Sequence, residues 1–139
     1  MKKKLSIFGC TGSIGDTTLN LIKKSDKKYS FYILTGYKNY KKINYIINKY
    51  KPSYFVIFDN HTYQKIKKKK IKGKVKILNS EQYFKYNFKK SDVSILAIPG
   101  IAGLEPTLKS LKISKKILIA NKESVICGWD LIKKNLNQI

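Results

Sequence analysis

Short apolar runs alternate along this chain with longer segments in which polar and apolar residues are mixed. Six of the runs are rich in isoleucine, leucine, valine, tyrosine and phenylalanine. Short segments that are mostly apolar are typical of strands buried in a parallel sheet. We therefore predict strands at residues 4–8, 30–35, 54–58, 74–78, 93–98 and 116–120.

The segments between these runs predict helices. Ile43, Ile46, Ile47 and Tyr50 recur at the spacing of residues on one helix face. Proline and glycine lie at or near several of the boundaries, as turn chemistry requires. We predict helices at residues 14–24, 39–50, from about 62 into the lysine run at 67–70, from 80 onwards, at 103–111 and at 124–136.

Strands that alternate with helices indicate an α/β fold. Such a pattern forms βαβ units, in which neighbouring strands are parallel and the helices cover both faces of the sheet. We predict a Rossmann-like, doubly wound, mostly parallel sheet formed by one domain, residues 1–139. Ligands of this fold bind at the carboxyl ends of the strands, so the loops after the strands are the candidate site.

A glycine-rich segment, GCTGSIG at residues 9–15, follows the first predicted strand and opens the first helix. A glycine turn at a helix start exposes backbone N–H groups at the positive end of the helix dipole, where a pyrophosphate can bind. Thr11 and Ser13 could donate from N–H and hydroxyl groups, and Ile14 would begin the helix over the pyrophosphate. The alternative is a glycine turn with no ligand.

The loop after the second strand favours NADP(H) over NAD. An enzyme that uses NAD is expected to place a carboxylate about 20 residues beyond the glycines, on the ribose 2′-hydroxyl. The loop here reads Thr35, Gly36, Tyr37, Lys38, Asn39 and contains no acid. Lys38 and Asn39 could bind a 2′-phosphate by charge and hydrogen bonding, although one lysine in so lysine-rich a chain proves little.

Two later loops also follow strands. The segment at 97–107 contains small residues that would let a backbone approach a flat ligand, or it is a plain strand-to-helix turn. The segment at 120–124 reads ANKES and places three polar residues between a strand and a helix, as a ligand site or as a helix cap. His61 is expected to be solvated, and the scattered acidic residues predict no metal site.

Composition limits the partners and the compartment. The formal net charge is +22, and all 30 basic residues are lysine. Basic proteins bind nucleic acid phosphates, but the absence of arginine argues against a specific reader, and the composition is typical of an AT-rich genome. The lysine run at 67–70 reads as the end of a surface helix. Two distant cysteines, no export signal and no apolar run of about 18 residues predict a cytoplasmic protein that binds neither membrane nor nucleic acid.

The segments GCTGSIG at 9–15, GIAGLEPT at 100–107 and ANKES at 120–124, in this order, closely resemble 1-deoxy-D-xylulose 5-phosphate reductoisomerase. The resemblance implies conversion of 1-deoxy-D-xylulose 5-phosphate to 2-C-methyl-D-erythritol 4-phosphate in non-mevalonate isoprenoid synthesis, with NADPH and a divalent cation, Mg or Mn. It implies these roles: pyrophosphate binding by Thr11, Gly12, Ser13 and Ile14; 2′-phosphate binding by Lys38 and Asn39; contact near the nicotinamide by Asn121 and Glu123; substrate binding by Lys122.

Two departures from the family matter. Tyr37 stands where many members have glycine, so a tyrosine could stack on the adenosine part there. The family's Asp and Glu metal ligands and its catalytic and C-terminal domains come after the position at which this sequence stops. We expect an N-terminal part that binds NADPH weakly without turning over the phosphosugar, and a homodimer for the full-length enzyme.

Three alternatives stay open from the sequence. A stand-alone NADP(H)-binding module would sense the cofactor without catalysis. A basic nucleic-acid-binding domain would bind DNA or RNA tightly in a salt-dependent way that NADPH does not compete. An oxidoreductase of the aspartate-semialdehyde or homoserine dehydrogenase type would share the half-fold, but the segment Asn121, Lys122, Glu123 argues against it.

Overall fold

The computed structural model describes residues 1–25 and 27–137, and these residues form one twisted sheet with helices packed against it. All six strands are parallel, and their spatial order is β4-β3-β2-β1-β5-β6. The strands are β1 Lys3–Phe8, β2 Tyr29–Gly36, β3 Tyr54–Ile57, β4 Lys76–Asn79, β5 Ser91–Leu96 and β6 Ser114–Ile119. The Rossmann-like prediction is confirmed, and the sheet is parallel throughout rather than mostly so.

The first five helices lie in the crossovers between strands, and the sixth follows β6. They are α1 Ser13–Lys23, α2 Tyr40–Tyr50, α3 Asn60–Lys67, α4 Ser80–Lys85, α5 Leu104–Ile113 and α6 Lys122–Leu136, and a 3₁₀ turn at Ile101–Gly103 precedes α5. Apolar residues of α1, α2 and α3 pack with Leu5, Ile7 and Leu34 on one face of the sheet. Residues of α4 and α5 pack with Phe8 and Val56 on the other face.

The order of the strands creates a topological switch point at β1. The chain runs outward from β1 in one direction through β2, β3 and β4, then returns to the other side of β1 to form β5. Loops on the two sides of β1 therefore diverge toward opposite faces of the sheet. A crevice at such a point, beyond the carboxyl ends of the strands, is where ligands bind in open α/β sheets.

Several boundaries differ from the sequence predictions because caps and turns decide where an element ends. Asn39 was predicted inside the second helix and is its N-cap, with Oδ1 accepting from the Lys42 N–H at 3.1 Å. Lys122 and Glu123 were predicted in a loop and form the first turn of α6. Helix α3 ends at Lys67, and Lys67 to Lys70 are exposed, as predicted for the end of a surface helix.

The prediction that the sixth strand is buried was wrong. Strand β6 is the edge of the sheet, paired only to β5 among the described strands, and Leu118 and Ile119 are exposed. The chain's apolar pattern is the same for a central and an edge strand, so the sequence could not distinguish them. Within the described residues no helix is both long and apolar enough to cross a bilayer. The cytoplasmic location stays a prediction.

Candidate functional site

The loops after β1, β2, β3, β4 and β5 surround a cleft of about 550 Å³ at the switch point. The glycine turn forms one side of the cleft, and another side is open to solvent. Its lining residues are Gly9, Thr11, Gly12, Thr35, Gly36, Tyr37, Asn39, Phe58, Ser80, Phe84, Ile98, Pro99, Ala102, Glu105 and Pro106. A volume of this size is within the range of pockets that hold small molecules and cofactors.

The glycine turn is compact because two of its glycines lie against backbone. Gly9 has a φ of +83°, and a Cβ there would stand 2.8 Å from the carbonyl oxygen of Ala97. A Cβ on Gly15 would lie 2.5 Å from Cα of Cys10, so α1 approaches the turn as closely as a glycine allows. These two glycines are therefore required by the fold.

Gly12 differs from its two neighbours because it has room. A Cβ at Gly12 would meet no described atom closer than the Gly9 carbonyl oxygen, at 3.7 Å, and Gly12 lines the cleft. Gly12 is also the N-cap of α1 and supplies no capping side chain, so the first N–H groups of the helix are left to another acceptor. An open glycine before an uncapped helix is the arrangement expected around a bound phosphate.

Strand β2 holds the turn in place. The N–H of Gly9 donates to Oγ1 of Thr35 at 2.8 Å, and the N–H of Cys10 donates to the Thr35 carbonyl at 2.9 Å. Burial raises the pKa of the Cys10 thiol to about 12, so this thiol is neutral and unreactive near pH 7. Cys10 thus has a packing role, and two hydrogen bonds to Thr35 tie the turn to β2.

The loop after β2 presents Tyr37, Lys38 and Asn39 to solvent at the mouth of the cleft. The Lys38 ammonium lies 5.1 Å from the centroid of the Tyr37 ring. Hydrogen bonds from Thr62 hold the pKa of the nearby Asp59 below its usual value, and the charge of Lys38 acts in the same direction. A cation and an aromatic ring therefore stand together beside the ends of β2 and β3.

The far wall of the cleft is largely apolar. Phe58 and Phe84 pack on the buried ring of Tyr83, with centroid separations of 5.8 and 5.0 Å. Pro99 and Pro106 line the wall from the segment after β5, together with the carboxylate of Glu105. Because a carboxylate repels phosphate, anionic groups are expected at the glycine turn, and a flat apolar group is expected at this wall.

Asn121 is buried beside the cleft and bonds to protein. Its Nδ2 lies within hydrogen-bond distance of three oxygens, the Ile98 carbonyl, the Gly100 carbonyl at 2.8 Å and Ser124 Oγ at 3.0 Å, which share its two N–H donors. Its Oδ1 accepts from the Ser124 N–H at 3.2 Å and so caps α6. The side chain therefore ties the segment after β5 to the start of α6.

The structure gathers some of the sequence-predicted site residues and separates others. Thr11, Gly12 and Asn39 line the cleft; Ser13 and Ile14 are exposed at the start of α1, and Lys38 is exposed beside the cleft. Asn121 is beneath the β5–α5 segment, and Lys122 and Glu123 are exposed on the first turn of α6, outside the cleft lining. The assigned roles of these residues stay predictions.

Sequence reasoning missed Phe58, Ser80 and Phe84 as lining residues. Phe58 was predicted as the last residue of a strand, and Ser80 as a helix start. The signal that could have found Phe58 and Ser80 is their position directly after the third and fourth strands, at the edge where ligands bind, whereas Phe84 lies further along α4. Using that signal requires knowing that β3 and β4 lie on the same side of β1 as β2.

No metal centre can be assembled from the residues the structure describes. Across 1–25 and 27–137, no three His, Cys, Asp or Glu residues come together as ligands. The residues present therefore do not fit a divalent cation. They do fit a dinucleotide, because the uncapped start of α1 and the open space at Gly12 face a cleft with an apolar far wall.

Comparison with known proteins finds one family. Residues 5–128 match the family model described as 1-deoxy-D-xylulose 5-phosphate reductoisomerase. The chain is 41% identical to the reductoisomerase of that name from Pelagibacter ubique, over 98% of this chain and 36% of the relative. It is 34% identical to the Clostridium acetobutylicum relative, over 95% of this chain and 35% of the relative. The chain thus spans about a third of the length of the curated relatives it matches.

Solved structures agree with the sequence comparison. The Zymomonas mobilis reductoisomerase in complex with NADPH superposes with a TM-score of 0.89 at 27% identity, covering 99% of this chain and 37% of that one. A reductoisomerase in complex with NADPH, fosmidomycin and magnesium superposes with a TM-score of 0.82 at 29% identity, covering 98% of this chain and 34% of that one. The likeness extends over almost all of this chain's fold.

Proposed function

This chain belongs to the 1-deoxy-D-xylulose 5-phosphate reductoisomerase family, and from that premise we propose that it is the NADPH-binding domain of such an enzyme. The observation that carries the proposal is the cleft at the switch point, where the uncapped start of α1 meets the open space at Gly12. The Zymomonas mobilis relative, which superposes over nearly the whole chain, is a complex with NADPH.

The proposed roles follow the charges around the cleft. Thr11, Gly12, Ser13 and Ile14 would hold the pyrophosphate with backbone N–H groups at the start of α1. Lys38 and Asn39 would bind the 2′-phosphate, since both are exposed beside the mouth of the cleft and no carboxylate stands in their loop. The formal net charge of +22 raises the local concentration of such an anion.

The roles at the other end are proposals on the family resemblance. Glu123 would contact the cofactor near the nicotinamide, and Lys122 would bind the phosphosugar, 1-deoxy-D-xylulose 5-phosphate. Both are exposed on the first turn of α6, and the buried Asn121 fixes that turn. NADPH supplies the hydride when bound, and this chain's residues orient it.

We further propose that these 139 residues do not convert the substrate by themselves. The rearrangement requires a Lewis acid in the family, and the described residues of this chain form no cluster that could hold one. The enzyme that includes such a cluster would act as a homodimer. A stand-alone NADP(H)-binding module is the second candidate, because the cleft by itself would be enough to bind the cofactor.

Calorimetric titration tests the proposed cofactor. The chain is expected to bind NADPH more tightly than NADH, and Lys38→Asp is expected to reduce that preference by about tenfold or more, because a charge-assisted hydrogen bond worth about 1.5–3 kcal/mol is lost and a repulsion is added. An undiminished preference in Lys38→Asp would show that another group reads the 2′-phosphate.

Lys68→Asp is the matched control for Lys38→Asp. It makes the same change of charge at an exposed lysine, the C-cap of α3, which does not line the cleft. Its preference for NADPH is expected to equal that of the unchanged chain. A chain that releases no heat with millimolar NADPH would refute the proposed function, and turnover of 1-deoxy-D-xylulose 5-phosphate by the 139 residues would refute their inactivity.

A further inference from the structure

Two aromatic side chains stand next to each other at the rim of the cleft. Gly36 of β2 and Ile57 of β3 are partners in the sheet, and the N–H of Phe58 donates to the Gly36 carbonyl at 3.0 Å. Tyr37 and Phe58 are the next residues of the two strands, and both line the cleft. The two residues therefore flank the part of the cleft on the β2–β3 side, away from β5 and β6.

The two rings differ in how the protein holds them. Phe58 is half-buried and packs edge-on against Tyr83. Tyr37 is 56% exposed at the rim of the cleft. The Lys38 ammonium lies over the Tyr37 ring at 5.1 Å. A cation over one face leaves the opposite face for a flat group.

A bound dinucleotide has one suitable flat group on this side. If its phosphates lie at the start of α1, the base next to the 2′-phosphate extends past Lys38 and Asn39 toward β3. The apolar side chains that line the cleft after β3 and on α4 are Phe58 and Phe84. Stacking of a base on an aromatic side chain contributes about 1–3 kcal/mol, which corresponds to a factor of about 5–150 in affinity.

We propose that Tyr37 is a cofactor-binding residue of this chain, whose ring stacks on the adenine of the cofactor. This inference rests on the proposed function, because it needs a dinucleotide in the cleft. It assigns the two neighbouring residues different tasks. Lys38 distinguishes NADPH from NADH through the 2′-phosphate, and Tyr37 binds the base that both cofactors share.

Substitution of Tyr37 tests the stacking, with NADPH and adenosine 2′,5′-bisphosphate as probes. In Tyr37→Ala, calorimetry is expected to show about tenfold weaker binding of both probes. Tyr37→Phe is expected to stay within about threefold of the unchanged chain, because the ring is retained. The ratio of NADPH to NADH affinity is expected to stay the same in Tyr37→Ala, whereas Lys38→Asp lowers it.

Tyr45 provides a matched control on α2. It is 53% exposed, carries the Lys49 ammonium at 4.8 Å from its ring, and does not line the cleft. Tyr45→Ala is expected to bind both probes like the unchanged chain. If Tyr37→Ala has a lower melting temperature than the unchanged chain, Tyr37→Leu is the second variant. It retains much of the side-chain volume without the aromatic face, and it is expected to show a similar loss of affinity for both probes.

The outcomes separate the two proposals. If the unchanged chain binds NADPH and Tyr37→Ala binds it equally well, the stacking is wrong and the proposed function stands. If Tyr37→Phe loses as much affinity as Tyr37→Ala, the hydroxyl is the contact and the stacking is again wrong. If the unchanged chain binds neither probe, both proposals fall together.

Discussion

At the scale of single residues, glycine is needed at different positions of the turn for different physical reasons. Gly15 has no room for a side chain, because its Cβ would lie 2.5 Å from Cα of Cys10. Gly12 has room, with the first described atom 3.7 Å from a Cβ, and its space opens onto the cleft. The fold thus requires Gly15, whereas we attribute Gly12 to the ligand.

Alanine at each position separates the two reasons. Gly15→Ala is expected to lower the free energy of unfolding by about 1–3 kcal/mol, because backbone must move to admit the methyl group. Gly12→Ala is expected to cost at most about 1 kcal/mol, as at an N-cap, while it weakens NADPH binding by about tenfold because the methyl group would stand in the phosphate space. Thermal melts and calorimetry measure the two effects. Equal NADPH affinity in Gly12→Ala would contradict the assignment.

At the scale of elements, Asn121 joins parts that are distant in sequence. It caps α6 through Ser124 and bonds the carbonyls of Ile98 and Gly100 in the segment after β5. A Cβ on Gly103 would lie 2.8 Å from the Ile98 carbonyl oxygen, so this region has no spare space. The start of α6 and one wall of the cleft are therefore fixed by the same side chain.

Asn121→Ala is expected to destabilise the chain by about 2–4 kcal/mol, because a helix cap is lost and buried carbonyls lose their donor. Asn121→Asp keeps the capping oxygen but places a carboxylate against those carbonyls, so it is expected to destabilise the chain as well. Urea unfolding measures both. The control is Asn135→Ala. This change removes a solvent-exposed hydrogen bond within α6, from the Asn135 side chain to the Leu131 carbonyl, and is expected to lower the free energy of unfolding by under about 0.5 kcal/mol. An equally small loss of unfolding free energy in Asn121→Ala would disprove that Asn121 holds the segment after β5 to the start of α6.

At the scale of the whole molecule, the positive charge is broad, whereas the cleft is local. The 30 lysines include the exposed run 67–70 at the end of α3, and the lysines at 115 and 116 are exposed on the edge strand β6. Charge spread in this way attracts any polyanion weakly and loses that attraction in salt. A cofactor in the cleft would also be held by N–H groups that salt screens less.

Salt therefore separates NADPH from a polyanion. Raising NaCl from about 0.05 M to about 0.3 M is expected to abolish stabilisation by a short DNA duplex, and to reduce stabilisation by NADPH only in part. Melting curves with each ligand at both salt concentrations provide the measurement. Duplex binding that persists at high salt and resists displacement by NADPH would favour the nucleic-acid alternative.

The sequence by itself determined the local parts of this protein. The apolar runs specified six strands, and the glycine segment at 9–15 specified a turn and a helix start, because strand burial and helix entry depend on neighbouring residues. The segments 9–15, 100–107 and 120–124 also specified the family that residues 5–128 match. Each of these features depends on residues that are consecutive in the sequence.

Only the tertiary structure decided what lies beside what. It placed β6 at an exposed edge, brought Phe58 and Phe84 to the cleft, and turned the Asn121 amide onto the carbonyls of Ile98 and Gly100. These outcomes follow from strand order and from the face each helix covers. Both depend on packing between segments far apart in the chain, which no local pattern of apolar and polar residues encodes.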